Sequence, residues 1–137
     1  MSGSMNLFIV EDNPIVRTRL QLLLSSMPLL KVIGWAEGEQ DAITQVLNLL
    51  PDIVLLDLNL KNGSGINVLK AIKKNHAATK VIVLTNYSED IYSMLCMRAG
   101  ADYFFDKHYQ FEAVTEVISQ LLENGAVDVP GRGGVVQ

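Results

Sequence analysis

The chain has 137 residues, 49% of them hydrophobic and 19% charged, with a formal net charge of -4. That length suits a single domain, and that composition packs a core rather than remaining disordered. The acidic balance argues against direct nucleic-acid binding, which needs concentrated positive charge, and the short, interrupted apolar runs exclude a bilayer-spanning helix.

Residues 1–5 read Met-Ser-Gly-Ser-Met and are set apart as a frayed start or expression remnant, with the domain expected over residues 6–124. A first strand is predicted at Leu7–Val10, because the run is apolar without polar alternation, as in a strand covered on both faces. Pro14 then opens a helix, with Asp12 or Asn13 as its cap and Val16, Leu20, Leu23, Leu24 and Met27 as its inner stripe. A second strand is predicted at Val32–Trp35. Ala42, Ile43, Val46, Leu47 and Leu50 mark the next helix, which Pro51 terminates. The third strand, Ile53–Leu56, is too short for a helix, and Ile66, Leu69 and Ile72 follow at helical spacing. A fourth strand at Val81–Leu84 precedes a helix with the stripe Ile91, Leu95 and Ala99, stopped by Gly100. The last pair is a strand at Tyr103–Phe105 and a helix carrying Phe111, Val114, Val117, Ile118, Leu121 and Leu122. Residues 125–137, rich in glycine and valine, are expected to form a flexible tail.

Five strands alternating with five helices imply an α/β domain with right-handed crossovers and a parallel, doubly wound sheet covered on both faces. Ligands of such sheets bind beyond the carboxyl ends of the strands. Those ends carry Glu11 and Asp12 after the first strand, Asp57 after the third, Thr85 after the fourth and Lys107 after the fifth. Three carboxylates brought together repel one another, and a hard divalent cation such as Mg²⁺ relieves this with oxygen ligands. Three negative charges, a dication and one lysine sum to zero. Converting Asp57 to an acyl phosphate of about -2 charge adds only about one negative charge, so the site suits phosphoryl transfer, which depends on positioning and neutralisation.

Four segments carry a resemblance: Phe-Ile-Val-Glu-Asp-Asn (8–13), Pro-Asp-Ile-Val-Leu-Leu-Asp-Leu-Asn-Leu (51–60), Val-Ile-Val-Leu-Thr (81–85) and Ala-Gly-Ala-Asp-Tyr-Phe-Phe-Asp-Lys (99–107). In this order and spacing, the chain resembles the receiver domain of bacterial two-component response regulators over roughly Asn6 to Asn124. The resemblance implies a flavodoxin-like (βα)5 domain with strand order 2-1-3-4-5. It implies Asp57 as phosphoacceptor and Mg²⁺, with Mn²⁺ as substitute, held by Asp12, Asp57, the Asn59 main-chain carbonyl and, mainly through water, Glu11. Lys107 and Thr85 would contact the phosphoryl oxygens, and Thr85 with Phe104 would form the switch. The implied donor is a phosphohistidine on a sensor histidine kinase or histidine phosphotransfer protein, or a small phosphodonor. The implied response is a change of shape passed to an effector or output domain.

The sequence departs from the family's common residues at four places. Phe104 stands where tyrosine is frequent, His108 and Lys61 where proline is frequent, and Asn86 where alanine or glycine is frequent. Phe104 lacks a hydroxyl to bond. The Lys107–His108 bond is expected trans, since cis before a non-proline residue costs about 3–4 kcal/mol. These departures keep alive an alternative class, a phosphorylation-independent interaction module that retains the fold. An enzyme is not expected: Asp57 is followed by Leu58 and Asn59, without the second aspartate of aspartyl-phosphate phosphatases. A flavin site is excluded too, because Glu11-Asp12-Asn13 would repel its phosphate.

Other residues take plainer readings. Cys96 alone builds no internal disulfide, so a reducing cytoplasm is the expected setting; it is expected as a partly buried helix residue rather than a redox sensor. His76 and His108 lie far from any cysteine or second histidine, against a zinc site. Trp35 is expected at a strand edge. Tyr87, Tyr92, Met97 and Tyr109 form a candidate apolar interface around the last two helices, suited to a homodimer or a docking partner.

Overall fold

The computed structural model describes residues 3–87, 89–108 and 110–124. The expected flexible tail from Gly125 and the interface candidate Tyr109 lie outside the described residues. Five strands and five helices alternate: β1 (Met5–Val10), α1 (Pro14–Leu24), β2 (Leu30–Ala36), α2 (Glu39–Leu49), β3 (Ile53–Leu56), α3 (Gly65–Asn75), β4 (Lys80–Thr85), α4 (Asp90–Arg98), β5 (Tyr103–Asp106) and α5 (Ala113–Glu123). The strands form one sheet in the order β2-β1-β3-β4-β5, every pair parallel. The (βα)5 architecture and the 2-1-3-4-5 order expected for this chain are therefore present. β1 begins at Met5, one residue before the expected boundary; this residue is buried, and its N–H donates to the Leu29 carbonyl.

Strand parity divides the interior into two layers. Leu7, Ile9, Ile53, Leu55, Ile82, Leu84, Tyr103 and Phe105 face α1 and α5, while Phe8, Val10, Val54, Leu56, Val81 and Val83 face α2, α3 and α4. Such two-sided burial explains why the strands read as unbroken apolar runs. Tyr103 and Phe104 fall on opposite sides, as alternation requires.

Local chemistry sets the helix ends. Asn13 caps α1, its side-chain oxygen accepting from the Ile15 and Val16 N–H groups at 2.9 and 3.2 Å, with Pro14 in the first turn. Of the two cap candidates, Asn13 takes the role and leaves Asp12 free to serve the cleft. α2 ends where Leu50 adopts a left-handed φ of 48°, since the following Pro51 disfavours helical geometry before it. Leu50 is consequently 47% exposed and does not extend the inner stripe assigned to it. Ser64 caps α3 by accepting from the Ile66 N–H.

The helix α4 differs most from expectation. Ile91 and Leu95, predicted to face inward, are 54% and 42% exposed, whereas Cys96 is fully buried, with Tyr92, Met97 and Ala99 packed around it. The helix is apolar around most of its perimeter, so spacing alone permits two phases about 100° apart. The phase adopted seats the small Cys96 and Ala99 against the core layer. Burial lifts the Cys96 thiol to about 11, consistent with an inert residue.

Candidate phosphoryl-transfer site

Parallel pairing brings the acidic residues together. The Asp57 N–H donates to the Val10 carbonyl and the Glu11 N–H to the Ala36 carbonyl, which extends the ladder past the ends of β3 and β1. Glu11 and Asp57 are only 2% and 5% exposed, and Asp12 is half-buried beside them. One ligand oxygen from each of Glu11, Asp12 and Asp57 lies within 4.8 Å of the others.

Lys107 reaches this group because its N–H donates to the Thr85 carbonyl just beyond β5. Its ammonium lies 2.8 Å from Glu11 Oε1 and 2.9 Å from Asp57 Oδ2. The remaining carboxylate oxygens accept main-chain donors: Asn13 N–H to Glu11 Oε2 at 3.1 Å and Asn59 N–H to Asp57 Oδ1 at 3.3 Å. Burial raises the Glu11 carboxyl above its usual range, against the lowering effect of Lys107 and with the Asp57 charge adding to the rise. Burial pulls the Lys107 ammonium down, but Asp57 and Glu11 together outweigh it, and its pKa lies above the ordinary value.

The electrostatic sum tests the fit of a metal. Three carboxylates and one ammonium leave a local charge of -2, and the donors are all hard oxygens. A divalent cation of the Mg²⁺ class matches both. The cleft above them has a volume of about 300 Å³, and Asn59, Asn86, Arg19, His108 and Phe111 are among its other lining residues. A larger cleft, about 490 Å³, lies between Trp35, Glu37, Glu39, Asp41 and Asn62. Its lining is acidic with no lysine or arginine to face a phosphate, whereas Lys107 and Arg19 line the smaller one, which is therefore the candidate centre.

Gly65 contributes by having no side chain. A Cβ there would run into the Asp57 carbonyl oxygen and lie 2.6 Å from Leu58 Cα, so only glycine lets α3 press against the end of β3.

Other expected residues lie less directly. Thr85 is fully buried, and its hydroxyl accepts from the Tyr87 N–H at 3.2 Å; its neighbour Asn86 reaches the cleft lining instead. Phe104 is half-buried on the α4 side of the sheet, the side on which Thr85 also falls by alternation. Of the interface candidates, Tyr87 is 39% exposed, but Tyr92 and Met97 pack against the core. Tyr87 and Tyr92 stack with ring centroids 5.2 Å apart. The exposed apolar residues of α4 are Ile91, Met94 and Leu95. No cis peptide bond occurs among the described residues, and Lys107–His108 is trans as expected.

Sequence reasoning passed over Arg19, which stacks over the Phe111 ring at 4.1 Å and lines the cleft. It also passed over Arg17, which the fold buries behind the acidic loop. Nothing local in the sequence separates these arginines from surface cations on an amphipathic helix.

A family model described as the response regulator receiver domain matches residues 7–119. The response regulator GacA of Pseudomonas aeruginosa is 28% identical over 113 residues, covering 82% of this chain and 53% of that protein. The protein-glutamate methylesterase/protein-glutamine glutaminase of Thermotoga maritima is 31% identical over 119 residues, 84% of this chain and 34% of that protein. The chain thus spans about half, or less, of the length of these curated relatives. Among solved structures, the response regulator domain of Thermotoga maritima CheB superposes with a TM-score of 0.78 at 26% identity, covering 92% of this chain and 99% of that one.

Proposed function

This chain belongs to the response regulator receiver family of two-component systems, and on that footing we propose that it is a phosphorylation switch whose acceptor is Asp57. The observation that carries the proposal is the trio Glu11, Asp12 and Asp57, with oxygens inside 4.8 Å and the Lys107 ammonium bridging two of them.

In the proposed reaction an Asp57 carboxylate oxygen forms a bond to phosphorus. The bond from phosphorus to the donor's imidazole nitrogen breaks, and its electron pair leaves with the imidazole. Mg²⁺, held by Asp12, Asp57, the Asn59 carbonyl and Glu11 through water, would neutralise the phosphoryl oxygens. Lys107 would then exchange its Asp57 contact for one to a phosphoryl oxygen. The Thr85 hydroxyl would have to leave the Tyr87 N–H to reach another such oxygen, and the half-buried Phe104 on the same side would adjust with it. Hydrolysis of the acyl phosphate resets the switch, and no external substrate is turned over.

The donor we assign is a sensor histidine kinase or a histidine phosphotransfer protein, in the cytoplasm. No helix among the described residues is long and apolar enough to cross a membrane. The nitrate/nitrite response regulator protein NarL of Escherichia coli is a similar relative, 28% identical over 116 residues that make up 83% of this chain and 53% of that protein. The output that would read this switch, and homodimerisation through the last two helices, stand as proposals on the same basis.

Incubation with acetyl phosphate and Mg²⁺, followed by a phosphate-retaining gel, decides the matter. Wild type is expected to show a shifted band that Asp57→Ala and chelation both abolish. An unshifted wild type would leave a fold-retaining interaction module as the better reading.

A further inference from the structure

Arginine is seldom buried, yet the Arg17 side chain is only 11% exposed without lining the cleft. One terminal nitrogen, Nη1, donates to the Glu11 main-chain carbonyl at 2.9 Å and to Glu37 Oε2 at 3.2 Å. The guanidinium carbon also lies 3.7 Å from the centroid of the Trp35 ring. A buried cation requires compensation of this kind, and the planar guanidinium suits simultaneous stacking and hydrogen bonding. The carbonyl it grips is the main-chain oxygen of Glu11, whose side-chain carboxylate faces the cleft. Glu37 makes a second ion pair, its Oε1 lying 3.7 Å from Lys61, four residues past Asp57. Glu37 thus touches one cation in α1 and another in the loop that follows Asp57, both outside the cleft.

We propose that Arg17 is a positioning residue: held by Glu37 and the Trp35 ring, it pins the Glu11 carbonyl and so sets the spacing of Glu11 and Asp12 from Asp57. The inference rests on the metal-dependent reading of the site. Arg17 touches neither metal nor phosphate, and its effect reaches them through the main chain of the β1–α1 loop. Residues that orient ligands from behind commonly change metal affinity by 10–100-fold.

Isothermal titration of the metal-free full chain with Mn²⁺ measures this directly. Arg17→Ala and Arg17→Lys are expected to weaken binding roughly tenfold, lysine included because an ammonium lacks the planar fork. Glu37→Gln is expected to weaken it less, since the carbonyl bond survives. In acetyl phosphate assays the half-saturating Mg²⁺ rises by a similar factor, while the rate at saturating Mg²⁺ changes little. Ile72→Val, a buried α3 substitution remote from the cleft, lowers Tm without moving either value.

Wild-type affinity in Arg17→Lys and Glu37→Gln would overturn the proposal, and these two decide it should the alanine variant fail to fold. So would an equal loss of affinity in Ile72→Val, which would mark the effect as general destabilisation. A wild type that binds no Mn²⁺ would instead refute the functional reading and this inference with it.

Discussion

At the scale of single residues, the site holds two buried carboxylates against one ammonium, and the cost of that arrangement falls on Glu11. Its folded pKa lies above the unfolded value of about 4.3, chiefly because burial penalises the charge. The folded state therefore binds the proton more tightly. Its contribution is most favourable below the unfolded pKa and declines as pH rises through the raised one. Glu11→Gln is expected to raise the Tm of the metal-free protein near neutral pH and to flatten that decline. The same variant is expected to bind Mg²⁺ more weakly. Thermal melts between pH 4 and 8, with and without metal, check both. A metal-free Tm unchanged or lowered would contradict the account. Lys107 follows the same sign in a higher pH window. Its raised pKa keeps it charged throughout this range, and its stabilisation is lost only above the unfolded value of about 10.4.

At the scale of elements, α4 separates burial from exposure most sharply. Cys96→Ser places a hydroxyl in a fully buried position and is expected to cost about 1–3 kcal/mol. Leu95→Gln, on the exposed side, is expected to change stability by less than about 0.5 kcal/mol. Denaturant midpoints compare the two, and a reversal of their order would mean that α4 sits in the phase its sequence first suggested. The strands and their order were legible because runs such as Ile53–Leu56 and Val81–Leu84 are covered on both faces, which leaves no polar alternation. Asp57 and Lys107 were legible because a strand end fixes where the next side chain emerges. The phase of α4 was not, since a helix apolar around most of its perimeter offers no unique inner face. Nor was the role of Arg17, whose burial depends on Trp35 and Glu37 arriving from another strand and the loop after it. The Thr85 hydroxyl was placed at the right strand end, but its bond to the Tyr87 N–H depends on the path of the next loop.

At the scale of the whole molecule, a cation held by the acidic tip would link metal binding to folding. A cation that binds only the folded state stabilises it by about 2.7 kcal/mol at a hundred times its Kd. Added Mg²⁺ is therefore expected to raise the Tm, with EDTA reversing the rise and Asp57→Ala blunting it; a Tm indifferent to Mg²⁺ would exclude a metal site. The sheet also acts as a partition. α1 and α5 share one apolar layer and α2, α3 and α4 the other, with Asp57 at the rim of the central strand between them. The two broad sides are thus packed from separate sets of side chains, which leaves each able to diverge toward a different neighbour, while one carboxylate sits at their common border.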